Sequence, residues 1–150
     1  MKSKIENNLK VVEISKVTET PCNPLPVFMS SVQAGFPSPA DDYIEKQLDL
    51  HELMVQHPAA TFFVKVEGES MRDAGIHTGD ILVVDRSIEA TNGKIVVAVV
   101  DGEFTVKRLS VESSGVYLVP ENPNFSKIKI DDSSEFQVWG VVMYVIHKAS

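Results

Sequence analysis

The sequence predicts a mainly β protein: an antiparallel barrel or sandwich-like core with a short helical segment and an extended N-terminal arm. Three observations predict it. Residues 61–67, 81–85, 94–100, 103–109, 116–119, 128–130 and 136–146 are short, rich in Val, Ile, Phe and Tyr, and patterned as strands. Turn residues separate them: Thr78-Gly79-Asp80, Asn92-Gly93, Asp101-Gly102 and Ser113-Ser114-Gly115. Prolines crowd the region before them, at 21, 24, 26, 37 and 39, and interrupt regular structure there. Many short strands joined by tight turns form antiparallel barrels or sandwiches.

Taken in order, residues 1–20 are polar with scattered apolars, and the alternation around Val12 and Ile14 permits one edge strand. Pro21, Pro24 and Pro26 are expected to break any regular element. Residues 27–36 are then a proline-bracketed stretch, extended and accessible, which on composition alone reads as a linker. Ser38 is a candidate N-cap, with Pro39 at the first helical position and Asp41 and Asp42 in the first turn. Tyr43, Ile44, Gln47 and Leu48 would share one face of that helix. A second short helix starts at Asp49, with Glu52 in a variant of the capping box, and ends before Pro58. From Thr61 onward the pattern is β. Asp101-Gly102 between two apolar runs is the strongest hairpin signal.

Length and charge bound the function. The 150 residues make one domain with an arm, long enough for a real core. No apolar run approaches a membrane span, and the N-terminus mixes Lys and Glu without the apolar core of a secretory signal. The single cysteine, Cys22, excludes an internal disulfide and fits a reducing cytosol. The net charge is -7; residues 1–34, with four Lys and three Glu, carry +1, which leaves -8 on the rest. Neither part is a basic patch, so direct specific DNA binding is not expected and any link to DNA runs through a protein partner.

Ser70, in Gly68-Glu69-Ser70-Met71, follows a strand and a glycine. A serine in that setting is ordinarily a cap or turn residue. Its hydroxyl would nonetheless be exposed at the start of a turn whose backbone N–H groups, those of Ser70 and Met71, could form an oxyanion hole. Such a hydroxyl is a poor nucleophile without a base. Lys107, in Glu103-Phe104-Thr105-Val106-Lys107-Arg108-Leu109, shares a strand face with Glu103, Thr105 and Leu109. An arbitrary lysine there is solvated and protonated. To serve as a base it must be dry and tucked against Ser70, because desolvation disfavours the charged form. Among the rival bases, His51-Glu52 opens like a zinc-protease helix, but Val55 stands where the second ligand belongs. His77 lies near Ser70 in the chain, with no acid placed behind it. There is no Cys/His cluster and no glycine-rich phosphate loop, so neither metal nor cofactor is expected.

Together, Gly68-Glu69-Ser70-Met71, the strand around Lys107, and Ala34-Gly35 within Ser31-Val32-Gln33-Ala34-Gly35-Phe36-Pro37-Ser38-Pro39 resemble the self-cleaving Ser-Lys peptidases of the bacterial SOS response, the LexA/UmuD family. The resemblance extends to His57-Pro58-Ala59-Ala60-Thr61, 79–85 and Trp139-Gly140-Val141-Val142, and runs from about residue 25 to near the C-terminus. It implies that Ser70 is the nucleophile, Lys107 the general base and Ala34-Gly35 the scissile bond. Residues 1–34 would be the arm removed by self-cleavage and 35–150 the catalytic domain, with 35–60 as linker and short helices. Small residues at the bond suit a segment that must lie extended in a cleft. Only 34 residues precede the bond, too few for a repressor's helix-turn-helix domain, so the likeness is to the UmuD branch. That branch implies a cytoplasmic homodimer stimulated to cleave itself by a RecA filament on single-stranded DNA. Its trimmed form would serve a UmuC-like Y-family polymerase in translesion synthesis, with the sliding clamp a further candidate partner. The first 24 residues match nothing in that family. Signal peptidases share the Ser-Met pair and the lysine, but need membrane anchors and place proline where this chain has Asp73. The competing class is a non-catalytic scaffold for polymerase and RecA, in which Ser70 is only a turn residue.

Overall fold

The computed structural model describes residues 9–17, 25–28 and 44–150. The strands are β1 (Lys10–Lys16), β2 (Leu25–Phe28), β3 (Ile44–Leu48), β4 (Thr61–Glu67), β5 (Ile81–Asp85), β6 (Ile95–Val100), β7 (Glu103–Glu112), β8 (Gly115–Val119), β9 (Ile128–Ile130) and β10 (Phe136–Ile146). Eight of them form one antiparallel sheet in the order β1-β4-β5-β10-β6-β7-β8-β9, and β2 and β3 pair separately. Among the described residues no helix is long and apolar enough to cross a membrane.

Every strand read from residue 61 onward is present. The Asp101-Gly102 turn between β6 and β7 has positive φ at both residues, 49° and 84°, as the two-residue hairpin requires. The edge strand expected around Val12 and Ile14 is β1, which lies antiparallel on β4 with a bulge between Val11 and Glu13. Strand β10 is central and is bulged against both neighbours, at Val138/Gly140 towards β6 and at Val142/Tyr144 towards β5. Bulges increase local twist and bend the strand. The sheet curls accordingly: four strands separate β1 from β7 in the order, yet the Thr105 hydroxyl on β7 reaches the Leu9 carbonyl at 3.4 Å. The result is a half-barrel.

Apolar side chains fill both faces of the curl. Leu9, Val64, Val66, Met71, Ile76, Leu82, Val84, Val97 and Val106 form one buried cluster, and Val96, Ala98, Leu109, Leu118 and Val141 the other. Neighbours on β6 alternate between the clusters, as the period of two demands. Trp139 packs on Phe62 and Phe104 and lies under the Arg86 guanidinium.

Two local expectations are corrected. Ile44, Gln47 and Leu48 belong to strand β3, paired with β2, and not to a helix; pairing with a second extended segment overrides weak helix signals. Pro26 does not break β2. It sits opposite Gln47 in a two-stranded ribbon, where a missing N–H is tolerated at an edge. The second helix is present as α1 (Leu50–Met54), and the Asp49 carboxylate caps it by accepting from the His51 and Glu52 N–H groups. The proposed helix start at Ser38 lies outside the described residues.

Candidate active site

Ser70 stands where β4 ends. Gly68, with φ of 122°, makes the sharp exit from the strand, a conformation that only glycine adopts cheaply. The Gly68 N–H is held by the Thr78 hydroxyl at 2.9 Å. After Ser70, a turn of 3-10 helix (Arg72–Ala74) ends on Gly75 in the left-handed region. The 120–124 loop clamps this turn from the other side. Asn122 Nδ2 donates to the Glu69 carbonyl at 2.8 Å, the Glu121 N–H donates to the Ser70 carbonyl at 2.8 Å, and the Asp73 N–H donates to the Glu121 carbonyl at 2.8 Å. The Glu121 carboxylate is itself tied to Arg108 on β7. Ser70 is therefore fixed by backbone contacts on both flanks.

Lys107 reaches it from β7. Its Nζ lies 3.0 Å from Ser70 Oγ, 2.7 Å from Thr105 Oγ1 and 3.2 Å from the Val106 carbonyl. Ser70 is fully buried and Lys107 is 1 % exposed. Burial disfavours the ammonium and lowers the lysine pKa from 10.5 to about 8. A neutral lysine has two N–H donors and one lone pair. The two donors suit Thr105 and the Val106 carbonyl, which leaves the lone pair for the Ser70 hydroxyl proton. Ser70 Oγ also accepts from the Leu9 N–H at 2.9 Å. The arrangement can thus deprotonate a serine whose partners hold it in one orientation.

The structure brings Ser70, Lys107 and Met71 together, with the Met71 side chain buried in the adjoining core. Among the described residues, the Ser70 and Met71 N–H groups have no acceptor. Ala34 and Gly35 lie outside the described residues. Two of the four histidines are paired with carboxylates away from Ser70. The His57 ring pairs with Asp85 and the His147 ring with Asp80, to which His77 donates only its backbone N–H. The His77 ring stacks on His147. Among the described residues no group of three or more Asp, Glu, His or Cys side chains could hold a metal.

Three contributors went unread in the sequence. Thr105 orients the lysine; the strand alternation that places it on the Lys107 face was its one available signal. Asn122 and Glu121 clamp the nucleophile turn from 53 and 51 residues away, and no local pattern announces such a contact.

The family described as Peptidase S24-like matches residues 26–143. The chain belongs to that family. It is 48 % identical over 121 residues to protein MucA of Salmonella typhimurium, covering 80 % of this chain and 82 % of that one. It is 46 % identical over 123 residues to protein SamA of the same species, covering 82 % and 85 %. A LexA repressor of Bordetella petrii is 44 % identical over 116 residues, 77 % of this chain but 51 % of the repressor. The resemblance to the LexA/UmuD family therefore holds, and the S24 family is one of serine peptidases. Residues 9–17, which include β1, lie before the matched stretch.

Proposed function

We propose that the protein is a UmuD-like accessory subunit of an error-prone polymerase, activated by cutting its own chain between Ala34 and Gly35. The observation that carries this reading is the buried Lys107 amine 3.0 Å from Ser70 Oγ, with its pKa lowered to about 8 by burial. Lys107, neutral, takes the Ser70 proton. Ser70 Oγ attacks the Ala34 carbonyl carbon, and the Ser70 and Met71 N–H groups receive the developing oxyanion. The protonated lysine passes its proton to the Gly35 nitrogen as the peptide bond breaks. A water then loses a proton to Lys107, attacks the Ser70 ester and releases Ala34 as a carboxylate, which restores the hydroxyl.

The near-equal share of both chains in the match to MucA, against half of the LexA repressor, favours an accessory protein over a repressor. A homodimer, stimulation by a RecA filament and hand-over to a Y-family polymerase complete the reading by family likeness. Stimulation would act by shifting the population towards the cleavage-competent arrangement, a reading supported by Ser70 and Lys107 already lying within hydrogen-bond distance. The test is intact mass after incubation at mildly alkaline pH, beside Ser70→Ala. A wild-type-only product beginning at Gly35 is expected. Equal processing of Ser70→Ala would sink the peptidase reading, and no product in either sample, even with RecA, nucleotide and single-stranded DNA, would favour a non-catalytic scaffold.

A further inference from the structure

Among the described residues, Leu9 of the arm contacts the nucleophile directly. Its N–H donates to Ser70 Oγ at 2.9 Å and its carbonyl accepts from the Thr105 hydroxyl at 3.4 Å. One residue of the arm therefore bonds both the nucleophile and the group that orients the base. The Leu9 side chain is fully buried, in the cluster that includes Val64, Val66, Met71 and Val106. Strand β1 then continues along β4, with Lys10 opposite Glu67. Traced back from Lys10, the arm runs along the end of β4 towards Ser70. This is how an extended peptide enters a strand-lined cleft.

The pose is substrate-like in position and unproductive in chemistry. A trans peptide is planar, and its N–H and C=O lie in that plane, pointing in opposite directions. An Oγ that accepts from the amide hydrogen lies near that plane, not above the carbonyl carbon where attack must occur. The bound N–H also occupies an Oγ lone pair. Among the described residues, the strand lies at the sheet edge and pairs with β4 alone. Val12 and Ile14 are 47 % and 38 % exposed. On its far side β1 does not pair with β7. A groove of about 630 Å³ opens there instead, lined by Leu9, Val11, Val100, Phe104 and Ile128 among others.

We propose that residues 9–16 are a tethered competitor for the substrate groove: they dock as a strand on β4, cap Ser70 through the Leu9 N–H, and must leave before Ala34-Gly35 can enter. This rests on the Ser-Lys reading above and adds the element that restrains it. The device lies before residues 26–143, the stretch that the family description matches. After cleavage the same contacts would hold the severed arm on the domain without a covalent bond.

The test separates occupancy from chemistry. A fluorescent synthetic peptide with the sequence of residues 29–40 is titrated into full-length Lys107→Met protein, which lacks the base but keeps Ser70, and into Lys107→Met protein lacking residues 1–17. A tethered strand competes at an effective concentration of order millimolar, so its removal should tighten peptide binding by about tenfold or more. Equal affinity, or binding to neither, overturns the proposal. In the Ser70-intact chain, Leu9→Pro removes the one N–H and keeps an apolar residue; it should speed self-cleavage at Ala34-Gly35 several-fold, and it also covers the case in which the shortened chain fails to fold. An unchanged or slower rate in Leu9→Pro overturns the proposal while leaving the peptidase intact. Tighter peptide binding with no cleavage by any chain would instead remove the peptidase reading and keep the docking site.

Discussion

Self-cleavage should follow the titration of Lys107, and the structure sets where. Lys107 is 1 % exposed and its pKa is lowered to about 8 by desolvation. Only the neutral amine can take the Ser70 proton. With a pKa of about 8 the neutral fraction is about 0.1 at pH 7, about 0.5 at pH 8 and about 0.9 at pH 9. The first-order rate should therefore rise about tenfold from pH 7 to pH 9 and level off. An ordinary lysine at 10.5 would give a rise of about a hundredfold over the same range, with no plateau. The rate is read by intact mass on the purified chain alone between pH 6.5 and 10, with Ser70→Ala subtracting any background hydrolysis. A flat profile would refute a lysine base. A rate still climbing in proportion to hydroxide at pH 10 would refute a buried one.

Other expectations follow from named contacts. Lys107→Arg keeps the charge but cannot deprotonate, so its product should be undetectable in the same assay. The folded-state pKa of Lys107 is below its unfolded value, so burying the ammonium costs stability at and below pH 8, about 3 kcal/mol, and that cost is relieved as pH rises from about 8 to 10.5. The melting temperature of Lys107→Met relative to wild type should accordingly fall across that window; a constant difference would contradict it. Thr105→Val removes the hydroxyl 2.7 Å from Lys107 Nζ and should slow cleavage by about tenfold, with Thr105→Ser restoring most of the rate. Gly140→Ala would place a Cβ 2.6 Å from Val84 Cγ1, so denaturant unfolding should show a loss of about 1–3 kcal/mol.

Local chemistry determined much of this protein by itself. The period-two runs from residue 61 onward, the Asp101-Gly102 hairpin and the Asp49 cap are each decided within a few residues, by side-chain alternation, positive-φ turn positions and an N–H acceptor. They were legible for that reason. Ser70 and Lys107 were legible as candidates through a family likeness, because neither setting distinguishes a catalytic residue from a turn serine or a surface lysine. Three matters were decided only by the tertiary structure. Residues 44–48 became a strand because β2 was there to pair with them. Lys107 became dry because the sheet curls and brings Ser70, Leu9 and Thr105 around its head; burial, and with it the lowered pKa, is a property of what covers a residue and not of its neighbours in sequence. Leu9 came to cap the nucleophile across 61 residues of chain, a contact set by the register of β1 on β4, which no local pattern encodes.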